Sequence, residues 1–351
     1  WNAAQVERDL DRLAEQGITV LRVFPLWPDF QPLTAAFRGR GVFRCWTQND
    51  GALKNYAAVD DGMVERFRFL CRAAEKRNLG LVVGLVTGWM SGRMFVPPAL
   101  ERKNALTDAE SIMWQTRYVR YLVEALKNER AIVAWDLGNE CNAMGTATRA
   151  EFRNWMHAIA SSIRLADASR PVVSGMHSVS PKTDDMTNVR DQGELTDILT
   201  THPYPLWTPG CNTEPFDTLR NGCHAACETT WYADLAAKPA FVEEAGSMGP
   251  GIVSEARAAA SMRTALFSCW AAGIKSYMWW CAFDQNKLKF APYDWAAIER
   301  ELGVFKADGT PKPQAREMKK FRDFLDSLPF KALPPRRIDA TVIVSEQEHA
   351  W

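Results

Sequence analysis

Two patterns of apolar and polar residues alternate along the chain. Short apolar and β-branched runs are typical of buried strands, and longer stretches with apolar residues every three or four positions are typical of amphipathic helices. The first pattern predicts seven strands, at residues 19–25, 79–87, 132–139, 171–176, 198–204, 240–244 and 274–280. The second predicts helices at residues 4–15, 62–77, 109–128, 149–166, 217–237, 254–272 and 314–325.

Regular alternation of strands and helices predicts an α/β fold with a parallel sheet. The strands begin about 42 residues apart on average, which is within the repeat length of an eight-stranded (β/α)8 TIM barrel with long loops. Seven strands are one too few for such a barrel, and the chain opens in a helix. The first strand is therefore predicted to lie upstream of Trp1, so the visible strands are the second to the eighth.

The pattern changes near the end of the chain. Residues 1–328 are predicted to form the catalytic barrel, and residues 329–351 a proline-rich connector followed by the start of a C-terminal β-type element. Prolines at 334 and 335 precede the β-branched run ATVIV at 340–344. A proline-bearing connector before a new strand often marks a domain edge.

Composition argues against several classes of protein and partner. The 42 basic residues balance the 42 acidic ones, so no electrostatic reason exists to expect a nucleic-acid partner. Apolar runs are too short for a membrane span, and no membrane partner is expected. The first residues lack the features of a secretory signal, and the eight scattered cysteines are typical of buried thiols in a reducing compartment. We therefore expect a cytoplasmic location; the oligomeric state is not predicted.

One cysteine group has local spacing that suggests chemistry. Cys223, His224 and Cys227 are close in sequence, with Cys211 upstream. A zinc site needs about four converging ligands with recognisable spacing, and this group does not supply that pattern. A disulfide or plain packing is the preferred interpretation, and no metal or organic cofactor is expected.

Two of the predicted strands end in carboxylates. The motif WDLGNE at 135–140 ends in Glu140, and the motif FVEEAG at 241–246 contains Glu243 and Glu244. The predicted register places these motifs on the fourth and seventh strands, which face each other across the mouth of a barrel. Two facing carboxyl groups are the minimal apparatus for cleavage of a glycosidic bond.

These two motifs resemble the strand-four and strand-seven signatures of glycoside hydrolase family 5, a clan A family of barrel enzymes. The resemblance implies that Glu140 is the acid/base and Glu244 the nucleophile of a retaining mechanism. Glu243 is the alternative nucleophile, but the family motif places the nucleophile two residues before the glycine, which favours Glu244.

Other strand ends agree with this resemblance. It implies six substrate-binding residues: Arg22, Trp89, Asn139, His202, Tyr204 and Trp280. In the family pattern the arginine lies near the nucleophile, Tyr204 hydrogen-bonds Glu244, and Asn139 contacts the sugar 2-hydroxyl. Trp280 is the sugar platform, with Trp279 as the alternative.

The substrate prediction comes from the loops. RVFPLWPDF at 22–30 and WMSGR at 89–93 resemble subfamily 18 of family 5, whose members are regarded as β-mannosidases acting on Manβ1-4GlcNAc of the N-glycan core. The resemblance predicts an exo-acting β-mannosidase with an oligosaccharide substrate. The alternatives are an endo-β-mannanase or β-glucanase of the same clan and, from another class, a non-catalytic carbohydrate-binding barrel.

Overall fold

The computed structural model describes residues 1–41, 43–180, 182 and 184–341. Its strands are β1 Val20–Val23, β2 Leu33–Gly39, β3 Phe43–Gln48, β4 Gly80–Val86, β5 Trp89–Met90, β6 Arg93–Met94, β7 Ile132–Gly138, β8 Val172–Val173, β9 Leu199–Thr201, β10 Ala240–Ala245 and β11 Tyr277–Trp279. Its α-helices are α1 Ala3–Glu15, α2 Trp27–Phe30, α3 Asp61–Glu75, α4 Ala109–Leu126, α5 Arg149–Ala166, α6 Val189–Leu195, α7 Leu219–Ala236, α8 Glu255–Ala271 and α9 Pro313–Ser327.

The chain divides into two units. The first unit comprises Trp1–Glu7, Val20–Met176 and Glu194–Asp197, and the second comprises Arg8–Thr19, His177–Gly193 and the chain from Ile198 onward.

A four-stranded parallel sheet with the order β1-β4-β7-β8 forms the centre of the first unit. Arg22 on β1 is in register with Val82 on β4, and Asp136 on β7 is in register with Val173 on β8. Strand β4 is almost entirely apolar and six of its seven residues are buried. A strand that is apolar on both faces is typical of a parallel sheet covered on both sides.

The second unit contains a three-stranded parallel sheet with the order β9-β10-β11. Val242 on the central strand β10 pairs with Thr201 on β9, and Ala245 pairs with Trp279 on β11. In both sheets, each parallel connection therefore passes through at least one helix, as the alternating pattern predicts.

Capping residues mark the N-termini of several helices. The Thr148 hydroxyl accepts from the Glu151 backbone N–H, and the Glu151 carboxylate accepts from the Thr148 N–H, which forms a capping box before α5. Asp60 and Asp108 cap α3 and α4 in the simpler way, each accepting hydrogen bonds from backbone N–H groups of the first turn.

All seven predicted strands and all seven predicted helices are confirmed, and most differences are at their ends. Strand β9 ends at Thr201 rather than at residue 204, because Pro203 and Pro205 cannot donate to a strand ladder. The predicted strand upstream of Trp1 lies outside the sequence and remains a prediction. Residues 329–341 contain no strand, and the rest of the predicted C-terminal element, residues 342–351, lies outside the described residues.

The prediction missed a β-hairpin in the loop after β1. Strands β2 and β3 pair antiparallel, with Ala36 opposite Trp46. The glycines at positions 39 and 41 are a turn signal between two short segments, and only the half-buried and exposed residues at 34–37 of β2 alternate in the structure. A smaller antiparallel pair, β5 with β6, follows β4.

In the described part of the chain, no helix combines the length and apolarity that a membrane crossing requires.

Candidate active site

In the first unit, a buried ion pair lies at the ends of β1 and β7. Arg22 Nε and Nη2 lie 2.9 and 2.8 Å from Asp136 Oδ2, and the two side chains are only 5% and 0% exposed. The Gly138 backbone N–H donates to the other oxygen, Asp136 Oδ1, at 3.0 Å. The guanidinium is therefore held by a carboxylate that is itself hydrogen-bonded on both oxygens.

The same guanidinium orients Asn139. Arg22 Nη1 donates to Asn139 Oδ1 at 2.9 Å, while Asn139 Nδ2 donates to the main-chain oxygen of Trp89 at 2.9 Å. Because Arg22 has only donors and the Trp89 carbonyl only accepts, the orientation of the amide is fixed. Three predicted substrate-binding residues of the first unit, Arg22, Trp89 and Asn139, are thus brought together.

Glu140 follows directly and has an uncommon backbone conformation. Its φ is 47° and its ψ is 44°, in the left-handed region that non-glycine residues seldom adopt. The chain before it is tightly packed: a Cβ on Gly138 would lie 2.0 Å from Val86 O, so only glycine fits there. Residues held in such conformations often cluster at functional sites, at a cost of about 1–3 kcal/mol each.

In the second unit, Glu244 lies near the end of the central strand β10. The Tyr204 hydroxyl donates to Glu244 Oε1 at 2.8 Å, which is the hydrogen bond that the family resemblance implied. A hydrogen bond to a carboxylate favours its ionised form. The glycine of the motif leaves room for this contact, since a Cβ on Gly246 would lie 3.0 Å from the Tyr204 ring.

The structure separates Glu243 from Glu244. Glu243 is only 2% exposed, and its Oε2 lies 3.3 Å from His202 Nε2. Glu244 is partly exposed, and its Oε2 lies 3.8 Å from His202 Nδ1, which is beyond hydrogen-bond distance. Glu243 thus holds the His202 ring in place, whereas Glu244 is the carboxylate with solvent access.

Contacts also separate the two candidate platform tryptophans. The Trp279 indole N–H donates to Leu302 O at 2.9 Å, which ties that ring to the backbone. Trp280 follows β11 and is partly buried. Of the other loop tryptophans, Trp27 is fully buried and donates to Gln31 Oε1, whereas Trp207 is 64% exposed.

Asp284, in the loop after β11, has a structural role. Its Oδ1 lies 2.6 Å from the buried Lys312 ammonium and accepts from the Gly303 N–H at 3.0 Å. Burial raises the pKa of Asp284, and the Lys312 charge opposes that shift.

Asp136, the buried partner of Arg22, was not predicted as a site residue. The available signal was a charged residue within an otherwise apolar strand, because a buried charge needs a partner. Glu228 on α7, whose Oε2 lies 3.2 Å from His224 Nε2, was not predicted either. All eight cysteines are free thiols, so the predicted alternative of a disulfide near Cys223 is not present.

Glu228 is expected to make stability depend on pH. Burial raises its pKa from 4.5 to about 7, against the lowering effects of the His202 charge and the Tyr232 hydroxyl. The folded state therefore binds this proton more tightly than the unfolded state does, so protonation of Glu228 contributes to the free energy of unfolding. That contribution is complete below pH 4.5 and is lost as the pH rises to about 7. The loss amounts to about 3 kcal/mol.

Urea unfolding at pH 4.5 and pH 8 tests this prediction. Between these pH values, the free energy of unfolding should fall by about 3 kcal/mol less in the Glu228→Gln variant than in the wild type. Glu124→Gln, at a side chain that is 59% exposed, measures the effect of the substitution itself. Equal pH dependence of Glu228→Gln and the wild type would show that Glu228 does not hold this proton.

Comparison with known proteins identifies the family. The model of the family described as cellulase (glycosyl hydrolase family 5) matches residues 2–286. Among curated proteins, a mannan endo-1,4-beta-mannosidase A from Podospora anserina is 28% identical over 178 residues, which are 50% of this chain and 46% of that protein. The matched part spans about half the length of such relatives.

Solved structures show the same fold. A GH5_18 structure from Streptomyces cattleya in complex with GlcNAc has a TM-score of 0.80 and 20% identity, over 95% of this chain and 78% of that one. An exo-beta-1,4-mannosidase from Opitutaceae bacterium strain TAV5 has a TM-score of 0.71 and 24% identity, over 92% of this chain and 55% of that one. These likenesses confirm the predicted (β/α)8 TIM-barrel fold class, and the family match covers most of the sequence: the chain belongs to glycosyl hydrolase family 5.

Proposed function

We propose that this family 5 protein is a retaining, exo-acting β-mannosidase, with Glu244 as nucleophile and Glu140 as acid/base. The observation that carries the proposal is the 2.8 Å hydrogen bond from the Tyr204 hydroxyl to Glu244 Oε1, because it singles out one carboxylate near the end of β10 and favours its ionised form. The pairing of Glu244 with Glu140 rests on family membership and on the two strand-end motifs.

The reaction has two displacements. Glu244 attacks the anomeric carbon while Glu140 gives its proton to the departing sugar oxygen, which forms a mannosyl-enzyme. Glu140, now a carboxylate, then takes a proton from water as that water attacks the same carbon and releases Glu244. Neither step requires a metal or an organic cofactor.

The other predicted residues bind the sugar in this proposal. Asn139 presents an amide that Arg22 holds in one orientation, and it contacts the 2-hydroxyl. Trp280 is the platform beneath the sugar ring, and Trp89 binds sugar as the family resemblance implies. His202, braced by Glu243, lies beside the nucleophile.

Known relatives support mannose as the sugar. One similar structure is an exo-beta-1,4-mannosidase, and a second Streptomyces cattleya structure was solved with Manb1-4GlcNAc. We therefore propose Manβ1-4GlcNAc of the N-glycan core as the candidate substrate. A cytoplasmic location is part of the proposal and rests on the buried thiols of Cys71, Cys141, Cys211, Cys269 and Cys281.

Endo-acting β-mannanase activity is the second candidate, because curated relatives are mannan endo-1,4-beta-mannosidases. Product analysis with Manβ1-4GlcNAc and with mannopentaose separates the two candidates. The exo enzyme should release mannose from the disaccharide and shorten the pentaose one unit at a time. Early appearance of mannobiose and mannotriose, with the disaccharide intact, would instead identify an endo enzyme.

A further inference from the structure

A series of polar contacts connects the main chain of Tyr204 to helix α7 in the second unit. Thr208 Oγ1 lies 2.9 Å from the main-chain oxygen of Tyr204 and 3.0 Å from His224 Nε2. His224 Nε2 in turn lies 3.2 Å from Glu228 Oε2, one helical turn further along α7. The proposed mechanism gives no role to Thr208, His224 or Glu228.

Chemistry fixes the direction of these hydrogen bonds. A carbonyl oxygen has no hydrogen, so the Thr208 hydroxyl must donate its only hydrogen to Tyr204 O. The same hydroxyl oxygen can then only accept from His224, which means that His224 Nε2 carries a hydrogen. Burial lowers the pKa of His224, which favours the neutral ring.

Glu228 lies beside that ring. Its Oε2 is 3.2 Å from Nε2, and the His224 and Glu228 side chains are only 13% and 16% exposed. Besides His224, the charged or titratable groups that face Glu228 are His202, which follows β9, Tyr232 on its own helix and Cys211 in the loop after β9. A second contact, 2.6 Å between the Thr201 and Thr229 hydroxyls, ties β9 to α7 beside this group.

Tyr204 lies beyond the last residue of β9, which is Thr201. Its N–H donates to His202 O at 2.8 Å, and its carbonyl accepts from the Trp207 N–H at 3.1 Å. Both are local contacts beside the short turn from Pro205 to Trp207. Yet its hydroxyl must remain 2.8 Å from Glu244 Oε1. The Thr208 contact fixes the main chain from which that phenol extends.

We propose that His224 is a positioning residue for the nucleophile: its Nε2–H holds Thr208, Thr208 holds the main chain of Tyr204, and Tyr204 keeps Glu244 ionised. This inference rests on the proposed function, in which Glu244 attacks the sugar. His224 acts through Tyr204 and touches no substrate.

The acidic limb of the pH profile of kcat/KM reports the ionisation of the nucleophile. Thr208→Val removes the hydroxyl without changing the shape of the side chain, and His224→Leu removes the donor. Each should move the acidic limb upward by about half a unit to one unit, because a weaker Tyr204 contact favours the protonated form of Glu244. At pH values below that limb, kcat/KM on p-nitrophenyl β-mannoside should be about threefold to tenfold lower than in the wild type.

Three further variants make the test specific. Thr208→Val/His224→Leu should shift the limb no further than either single variant, because both break the same chain. His224→Gln, whose amide nitrogen replaces Nε2, should restore the wild-type limb. Thr213→Val is the matched control in the same loop, since the Thr213 hydroxyl donates to Gly210 O at 3.1 Å and takes no part in the contacts of Thr208 and His224.

The proposal is overturned if Thr208→Val folds with an unchanged acidic limb, if Thr213→Val shifts the limb equally, or if the double variant is additive. Thr208→Val decides the matter alone if His224→Leu does not fold. A wild type that cleaves no β-mannoside would overturn the proposed function, and the inference with it. If the wild type is active and requires Glu244, but Thr208→Val does not shift the acidic limb, only the inference is overturned.

Discussion

Replacing Glu244 with alanine should reduce kcat on p-nitrophenyl β-mannoside by about 10⁴-fold or more, because no other group supplies the attacking oxygen. Glu140→Ala should reduce kcat by about 10²–10⁴-fold on substrates with poor leaving groups, which need its proton. An activated leaving group needs less protonation, so Glu140→Ala should slow the first step less with such substrates. Steady-state kinetics on activated and natural substrates measure both effects.

Azide distinguishes the two roles. In Glu140→Ala, azide should attack the mannosyl-enzyme and give β-mannosyl azide, because two inversions retain configuration. In Glu244→Ala, azide should replace the missing carboxylate in one inversion and give α-mannosyl azide. A wild type without turnover would instead support the non-catalytic carbohydrate-binding barrel, and Glu243→Gln serves as the matched control for the neighbouring carboxylate.

Replacing Arg22 with methionine should lower the free energy of unfolding by about 3–5 kcal/mol, because it leaves Asp136 buried without its cation. Asp136 is 0% exposed and its Oδ2 lies 2.8 Å from Arg22 Nη2, so water cannot take the place of the guanidinium without rearrangement. Activity should also fall, since Asn139 loses the donor that orients its amide. Urea unfolding of the purified variant measures the change in stability.

The matched control is Arg220→Met, which breaks an ion pair with Glu214 whose side chains are 61% and 32% exposed. A pair of this kind contributes about 1 kcal/mol or less. The double variant Arg22→Met/Asp136→Leu should recover part of the lost stability, because it removes the unpaired charge as well. If Arg22→Met is as stable as Arg220→Met, the buried pair does not have the role given to it here.

Periodicity predicted seven strands and seven longer helices because burial of an apolar face follows the local sequence, whereas the short helices α2 and α6 were not predicted. The hairpin β2–β3 was missed because its strands, LTAAFRG and FRCWTQ, do not alternate regularly between apolar and polar residues. Glu140 and Glu244 were predicted from motifs that end in an acid or a glycine, and the Tyr204 contact agreed with that resemblance. Their catalytic roles remain proposals.

The remaining contacts depend on residues that are far apart in sequence. Arg22 and Asp136 are separated by 114 positions, and no local pattern indicates that they form a pair. Trp279 and Trp280 are neighbours of the same type, so composition cannot distinguish them, whereas in the structure the Trp279 indole N–H donates to the Leu302 carbonyl. The role of Trp280 as sugar platform remains a proposal. The CHAAC segment at 223–227 suggested metal or disulfide chemistry, whereas His224 instead bonds Thr208, a residue of the preceding loop.

The most direct test of the central claim is to trap the covalent intermediate with a 2-deoxy-2-fluoro-β-mannosyl fluoride and to locate the label by peptide mass spectrometry. The proposed double displacement predicts one fluoromannosyl group per chain, esterified to Glu244. A label on Glu243, or full turnover of β-mannosides with no covalent intermediate and inverted product, would contradict the account.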